Sequence, residues 1–270
     1  MNKNNIISLT VMTLLATAVQ AVSAEQQPGT GFIEGSQLSV LNRNYYYNSD
    51  NHSGGKDGRE WGHSILSAFT SGYTSGTVGF GLDAHAYLAL KLDSGRGRNR
   101  SDMFPMKSNG ASRDESTSAG AAVKMRISRS ELKYGDLRPY NPVFALADTR
   151  MFPATATGFM FTSSEIDDLY IDAGHFTSGK DYNQTHGDGD FFAGYAGVKG
   201  GNVDYLGGSY GIDDNTSVTL YTSRYEDLWR QHYLNGNYTL PLGEQRALNL
   251  DANIYRTTEG SVAKIGGSQR

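Results

Sequence analysis

One stretch of the sequence, GTVGFGLDAHAYLALKL at residues 76–92, alternates between apolar and other residues with a period of two. Every even position from Val78 to Leu92 is apolar, whereas the odd positions include glycines together with Asp83 and Lys91. Successive side chains of a β-strand point to opposite faces of a sheet. The stretch therefore predicts a strand that is apolar on one face and polar on the other.

Similar alternation recurs along the chain, and no segment has an apolar spacing that clearly favours a helix. The pattern predicts eleven strands, at residues 31–47, 60–74, 76–93, 118–128, 131–137, 157–163, 168–178, 202–212, 216–226, 229–240 and 246–257. Their connections alternate between long and short, apart from the connection at Asp227–Leu228, which is short where a long one is expected. An antiparallel meander with one long-loop end and one short-turn end is typical of an outer-membrane β-barrel.

Periodicity by itself does not separate two architectures. In a soluble β-sandwich the apolar faces would meet in a dry core, whereas in a barrel they would face lipid around a polar lumen. Aromatic residues at the predicted strand ends, such as residues 45–47, Tyr73 and Trp229, predict a girdle at the membrane interface. Frequent glycine on the polar faces also fits an aqueous lumen. These features favour the barrel, and a soluble exported β-sandwich that acts as a binding module remains an alternative.

The N terminus has the features of a signal peptide. Lys3 supplies a positive charge, residues 6–19 are mostly apolar, and residues 22–24 are small enough for cleavage. The apolar part is too short for a membrane-spanning helix, so residues 1–24 are predicted to be removed and residues 25–270 to form the mature porin segment. The chain has no cysteine, so its export does not imply disulfide bonds.

The segment DTRMFPATATGFMFTSSE at residues 148–165 is distinctive. It is accompanied by GFIEGSQLSVLNRNYYYN, SGYTSGTVGFGLDAHAYLALKLDSG, GAAVKMRISRSELKYGDLRP, AGHFTSGK, WRQHYLNGNYTLPL and ANIYRT. Together these segments cover almost all of residues 31–258. They resemble the OprD family of outer-membrane porins, which are substrate-specific channels of Gram-negative bacteria.

The resemblance implies an all-β, antiparallel transmembrane β-barrel, monomeric and 18-stranded in the family, to which this chain would contribute about eleven strands. It also implies a narrow pore, an inward-folded third external loop and a ladder of basic side chains for small carboxylate-bearing solutes such as amino acids, peptides and small acids. Passage would be by diffusion, without an enzymatic cycle or a cofactor. Because members of the family are longer, the chain is expected to be a truncated form that does not act as a pore alone.

Lys124 and Arg126 are the first candidates for such a ladder, because they alternate with the apolar residues Val123, Met125 and Ile127. If those three residues face lipid, both basic side chains enter the lumen. There they would attract carboxylates, and an arginine can bind a carboxylate through two hydrogen bonds. The alternative is that both are ordinary solvated charges on the wet face of a strand.

Three other basic residues are candidates with competing explanations. Arg43 can be a further rung of the ladder or a solvated arginine near a loop, since the two faces of its strand are poorly distinguished. Lys91 and Lys133 fall on polar faces, but each has an acidic neighbour, Asp93 or Glu131, with which it can pair locally.

The connection at residues 138–156 is too apolar to remain in water. It holds Pro139, Pro142, Phe144, Met151, Phe152 and Pro153. Folding into the lumen would bury these groups and narrow the channel, so this connection is the predicted constriction loop. Asp148 and Arg150 would then supply charge at the narrowest point, or they would pair with each other or anchor the loop to the wall.

Other functions are less well supported by the sequence. His85 is predicted to be a hydrogen-bonding residue of the lumen wall beside Asp83, and the histidines show no metal-ligand spacing. No nucleophile motif is present, although an outer-membrane barrel hydrolase remains an alternative. The net charge of −4 argues against nucleic acid as a partner. The basic segment at residues 94–100 is predicted to contact lipopolysaccharide, and the apolar strand faces are predicted to contact outer-membrane lipid.

Overall fold

The computed structural model describes residues 31–52, 54–94, 98–99, 101–193, 198–243 and 246–260. The predicted signal peptide and most of the basic segment at residues 94–100 lie outside the described residues. The strands are β1 (Gln37–Ser49), β2 (Gly58–Thr70), β3 (Val78–Ser94), β4 (Glu115–Ile127), β5 (Ser130–Leu137), β6 (Tyr140–Asn141), β7 (Phe144–Ala145), β8 (Thr155–Ser163), β9 (Leu169–Lys180), β10 (Phe191–Ala193), β11 (Val198–Gly200), β12 (Val203–Asp213), β13 (Thr216–Tyr225), β14 (Trp229–Pro241) and β15 (Ala247–Glu259).

Eleven of these strands form one antiparallel sheet in the order β1-β2-β3-β4-β5-β8-β9-β12-β13-β14-β15. The prediction of eleven meandering strands is confirmed, while β6–β7 and β10–β11 are short additional hairpins inside two of the long connections. The first strand begins at Gln37 rather than at residue 31, because residues 32–35 form a turn closed by a hydrogen bond from the Gly35 amide to the Gly31 carbonyl. Within the described residues, no helix is long and apolar enough to cross a membrane.

The two faces of the sheet differ as the alternation in β3 predicts. Phe80, Leu88 and Leu90 project from one face, here called the outer face, and are exposed. Tyr87 and Ala89 project from the opposite, inner face and are buried. Large apolar side chains are exposed on the outer face of other strands too, as at Val123, Leu206, Leu220, Leu234 and Ile254. At β3 the inner face is therefore covered by protein and the outer face is apolar and exposed, whereas β15 at the end of the sheet is exposed along its whole length.

The predicted aromatic girdle is wrong for several of its members. Tyr45 and Tyr47 pack against the buried inner cluster that contains Phe104 and Phe152, and Tyr73 is buried. Among the three consecutive tyrosines, the intervening Tyr46 is exposed. The reason is the period of the strand, since consecutive residues cannot all face the same side, and the apolar loops on the inner face require aromatic partners.

The loop between β5 and β8, at residues 138–154, lies across the inner face; it corresponds to the connection predicted as the constriction loop and is referred to by that name below. Arg43 of β1 contacts its Asp148, and the Tyr225 hydroxyl of β13 donates to its Val143 carbonyl at 3.3 Å. The loop therefore connects strands that lie eight interstrand steps apart. A shorter bridge shows the shape of the sheet, because Lys180 of β9 donates to the Ala119 carbonyl of β4 at 3.0 Å, three interstrand steps away. Three steps span about 14 Å in a flat sheet, which is farther than one extended lysine side chain and one hydrogen bond can reach, so the sheet curls toward its inner face.

Candidate pore constriction

Apolar packing holds the constriction loop against the inner face. Val143, Phe144, Met151 and Phe152 are all buried. The Phe144 ring lies 5.2 Å from the Phe176 ring of β9 and 5.7 Å from the ring of Phe191, and the Phe152 ring lies 5.6 Å from Tyr87 of β3. The apolar composition of the loop is thus explained by burial, since each large aromatic ring removes considerable surface from water.

A buried carboxylate anchors one part of the loop. Asp172 of β9 accepts hydrogen bonds from the Tyr205 hydroxyl at 2.9 Å, the Tyr221 hydroxyl at 3.4 Å and the Asn141 amide at 3.3 Å. The Asn141 side-chain oxygen in turn accepts from the Phe144 amide at 2.7 Å. These bonds compensate a carboxylate that has lost most of its contact with water.

Two guanidinium groups meet one carboxylate at the other part of the loop. Asp148 accepts from Arg43 of β1 at 2.7 Å and from Arg138 at 3.0 Å, while Arg43 also donates to the carbonyl of Arg150. Partial burial by itself would raise the pKa of Asp148, but the hydrogen bonds and charges of Arg43 and Arg138 outweigh burial and lower that pKa. Asp148 and Arg150 do not pair with each other, and both anchor the loop.

Arg150 is positioned by a second inward loop, which joins β3 to β4 and is described at residues 98–99 and 101–114, with Met103 and Phe104 buried. Its Nε donates to the Ser101 carbonyl, and its guanidinium lies 5.5 Å above the Tyr182 ring. Ser101 is held by Glu60 of β2, which is 1% exposed and accepts from the Ser101 amide at 2.9 Å and from the Ser112 hydroxyl at 3.0 Å. The two loops therefore form one connected structure over the inner face.

A lysine pair occupies the wall beneath these loops. Lys124 of β4 and Lys133 of β5 are directly opposite in the strand register, where two like charges would repel. Asp83 of β3 binds both, at 2.7 Å from Lys124 and 3.0 Å from Lys133, and Glu131 lies 3.2 Å from Lys133. The Lys124 side chain lies against Gly81, and a Cβ atom at position 81 would come within 2.6 Å of it. The absence of a side chain at Gly81 therefore leaves space for the Lys124 ammonium group to reach from β4 to Asp83 of β3.

Arg126 lies on the same face as Lys124, and both contact the ring of Tyr73. The Arg126 guanidinium is 4.5 Å from the ring centroid and the Lys124 ammonium is 5.0 Å from it. Cations are attracted to the negative face of an aromatic ring. Tyr73, which the sequence pattern placed at the membrane interface, therefore belongs to the basic wall.

Lys91 makes its contacts with the second inward loop. It lies 2.6 Å from Asp114 and donates to the Ser112 carbonyl at 3.1 Å. Hydrogen bonds from Lys107 and Lys91 lower the pKa of Asp114 to about 2. The neighbour considered from sequence, Asp93, instead lies 2.9 Å from Arg59, so Lys91 does not pair locally.

His85 belongs to a separate group on the inner wall. Its Nε2 lies 3.7 Å from Asp136, too far for a hydrogen bond, and its ring stacks on Tyr87 at 4.7 Å. Asp136 binds Lys180 at 2.7 Å. His85 therefore lies beside Asp136 rather than beside Asp83, which is engaged by the lysine pair.

Several charged groups of this region were not identified from the sequence. They are Glu60, Asp136, Arg138, Asp172 and Lys180. Glu60, Asp172 and Lys180 lie at polar positions of the period-two pattern, which was a detectable signal. Asp136 lies at the same parity as the outer-face Tyr134 but binds Lys180 on the inner face, after Gly135 with a φ of 140°, so the pattern did not indicate it. Their pairing partners come from distant parts of the chain, and no local pattern identifies these.

A curled antiparallel sheet with apolar side chains outside, charged side chains inside and a loop across its inner face defines the wall of an outer-membrane channel. The sequence model of a protein family, described as outer membrane porin, OprD family, matches residues 30–269. The chain belongs to the OprD family. Members of this family are outer membrane channels rather than enzymes, so the hydrolase and soluble-sandwich alternatives are set aside.

Similar proteins support this membership. The chain is 46% identical over 246 residues to Porin D of Pseudomonas aeruginosa, covering 91% of this chain and 56% of that protein. The crystal structure of Pseudomonas aeruginosa OccK9 (OpdG) has a TM-score of 0.80 and 32% identity, covering 87% of this chain and 62% of that one. OpdK of the same species has a TM-score of 0.79 and 31% identity, over 86% and 60%. The chain thus spans less than two thirds of the length of these relatives.

Proposed function

We propose that this chain provides the wall and the constriction of a channel through which small carboxylate-bearing solutes diffuse. Such solutes include amino acids, short peptides and small organic acids. The proposal covers the loop at residues 138–156 as the constriction and the inner-face basic residues as the path for the carboxylate. It rests on the charge of the constriction above all, because the guanidinium groups of Arg43 and Arg138 there share the single carboxylate of Asp148, and Arg150 adds a third guanidinium group in the same loop.

An excess of positive charge at a narrow point favours anions. Fixed charges act strongly between low-dielectric walls and in confined water. Arginine presents paired N–H groups that match the geometry of a carboxylate. A solute carboxylate would therefore be attracted to Arg43, Arg138 and Arg150 and would be exchanged along the wall rather than held.

The lysine pair is the next proposed position along this path. Lys124 and Lys133 share Asp83, and Arg126 lies on the same face beside Tyr73. Lys91 and His85 are proposed to line the wall at lower importance, since each is engaged by a neighbouring loop or side chain. A related solved structure is that of OpdK with vanillate, and vanillate carries a carboxylate.

The test compares a carboxylate with a neutral solute of similar size and shape. Benzoate and benzamide would be measured for entry into proteoliposomes that hold this chain, and in parallel a hybrid in which the further strands of Porin D follow residue 260. We expect benzoate to enter several-fold faster, and the double variant Arg43→Gln and Arg138→Gln to lose that preference. Arg129→Gln is the matched control, because Arg129 is exposed in a short turn and pairs with Asp167.

The outcomes separate pore formation from selectivity. If the hybrid admits both solutes equally, or if the double variant keeps the preference for benzoate, the proposed carboxylate path is wrong. If neither preparation admits any solute, the proposal that this chain provides a channel wall is wrong.

A further inference from the structure

A groove crosses the apolar outer face between β9, β12 and β13. Its volume is about 750 Å³. Gly208 of β12 lies at its floor, directly opposite Ile171 of β9 and Leu220 of β13 in the strand register, and Leu206 and Tyr210 border it along β12. The glycine cannot be replaced without strain, since a Cβ atom would lie 2.1 Å from the Tyr170 carbonyl oxygen. The groove is therefore built into the sheet rather than left by a movable side chain.

The groove runs from the middle of the sheet to the short turns. Gly208 is the central residue of β12, five positions or about 16 Å along the strand from Asp213 at its end, and the lining continues to Ile212 and to Leu169, the first residue of β9. With a strand tilt of about 45°, this distance becomes about 12 Å of depth. Because the short turns of such barrels are periplasmic and the hydrocarbon layer is about 30 Å thick, the groove faces the periplasmic leaflet, which consists of phospholipid.

The turns that border the groove are acidic, because Asp168 precedes the lining residue Leu169 and Asp213 follows the lining residue Ile212. Asp168 lies in the turn between β8 and β9, and Asp213 and Asp214 lie at the turn between β12 and β13. Arg129 binds Asp167 at 2.8 Å, but no described Lys, Arg or His forms an ion pair with Asp168, Asp213 or Asp214. Carboxylates near a membrane surface attract a cationic group and repel an anionic one.

We propose that this groove binds an acyl chain of a periplasmic-leaflet phospholipid whose headgroup carries a primary amine. The acyl chain lies over Gly208 between Leu220 and Ile171. There it makes more close van der Waals contacts with the protein than it would against a flat part of the outer face. The amine lies at the rim near Asp168 and Asp214. A phospholipid whose headgroup carries no amine, such as one with a glycerol headgroup, has no cationic group for these carboxylates and binds less well.

The test measures lipid retention by native mass spectrometry of the chain purified in detergent. Phosphatidylethanolamine and phosphatidylglycerol with identical acyl chains would be added separately and in competition. We expect several-fold greater retention of phosphatidylethanolamine. Leu220→Trp, which fills the groove, should lower retention of both lipids, whereas Val123→Trp, at an exposed outer-face position of β4, should leave both unchanged.

A second pair of variants tests the headgroup. Asp168→Asn together with Asp214→Asn should abolish the preference for phosphatidylethanolamine without lowering phosphatidylglycerol retention. Asparagine is suited to position 168 because it tolerates the positive φ of 62° observed there. Asp188→Asn is the control, because it removes one exposed carboxylate from the loop after β9, at the opposite end of the sheet.

Equal retention of the two phospholipids by the unaltered chain would overturn the headgroup assignment. Equal loss with Leu220→Trp and Val123→Trp, or no loss with either, would overturn the groove as the acyl site. Retention of lipopolysaccharide or of a second copy of the chain at the groove, displaced by Leu220→Trp, would also contradict the proposal. Solute passage plays no part in these measurements, so they are independent of the proposed function.

Discussion

Arg43 and Asp148 lie 2.7 Å apart although 105 residues separate them in the chain. Arg43 belongs to the first strand of the sheet and Asp148 to the constriction loop, which also contacts Tyr225 of β13. This ion pair therefore joins the loop to one side of the curled sheet, while apolar packing and Asp172 join it to the other. The loop is held at both ends, so its position over the inner face depends on a small number of identifiable contacts.

Removing the Arg43 charge is expected to loosen the loop from β1. Arg43→Gln should weaken loop docking by about 1 kcal/mol, since hydrogen bonds to charged groups contribute more than neutral ones but this pair is partly exposed to water. The measurement is the rate of trypsin cleavage within residues 138–154 of the detergent-solubilised chain, which should rise several-fold. Arg129→Gln should leave the rate unchanged, and a loop that stays equally protected without Arg43 would contradict this role.

The Asp172 anchor is expected to contribute more to stability. Asp172→Ala leaves the Tyr205 and Tyr221 hydroxyls and the Asn141 amide without their shared acceptor, which should cost about 2 to 4 kcal/mol. Asp172→Asn retains an acceptor oxygen and should cost less. Thermal unfolding in detergent would measure the difference, with Asp204→Ala as the control because Asp204 is half-exposed and pairs with His175. Similar losses for Asp172→Ala and Asp204→Ala would show that the buried acceptor is unimportant.

Asp83 is expected to be required because two lysines face each other. Asp83→Asn removes the charge that separates Lys124 from Lys133, so stability should fall by about 1 to 3 kcal/mol. Adding Lys133→Gln removes the repulsion and should restore part of the loss. A double-mutant cycle read by thermal unfolding measures this coupling, and purely additive effects of the two substitutions would contradict it.

Loop docking is expected to resist moderate acid. The pKa of Asp148 in the folded chain lies below its ordinary value of 3.8, so its contribution is fully present above that ordinary value and is lost only as the pH falls through the lowered pKa. Cleavage within residues 138–154 by an acid-active protease should therefore change little from pH 6 to pH 4 and rise on further acidification. In Asp148→Asn the charge-dependent part is absent, so cleavage should be raised above that of the unaltered chain from pH 6 to pH 4, and the difference should shrink on further acidification. A rise in cleavage already complete at pH 4 would contradict the direction of the pKa shift.

Local alternation carried much of the information about the sheet. The eleven strands and the apolar outer face follow from the period of two, because backbone geometry alone sends successive side chains to opposite faces. Apolar residues such as Leu66 and Phe176 are nevertheless buried on the inner face, where the loops cover them. The apolar residues of the constriction loop also indicated burial, since proline and phenylalanine in a long connection are costly to leave in water. These features depend only on neighbouring residues, and the sequence displays them directly.

The aromatic residues and the ion pairs were decided by the tertiary structure. Tyr73 faces Lys124 and Arg126 rather than the membrane interface, and Lys91 pairs with Asp114 rather than with Asp93. Each of these contacts depends on strand register and on which loops fold inward, and both are set by packing between distant segments.

The sequence alone determined that this chain makes an antiparallel sheet with one apolar and one polar face, because that property repeats every two residues. Only the tertiary structure decided how the polar face is arranged: Asp83 lies between two lysines, Asp148 lies between Arg43 and Arg138, and Asp172 lies beneath the constriction loop. The physical reason is that a charge on the inner face has several candidate partners within reach. Which one it binds depends on the curl of the sheet, the space left by Gly81 and the two loops that exclude water.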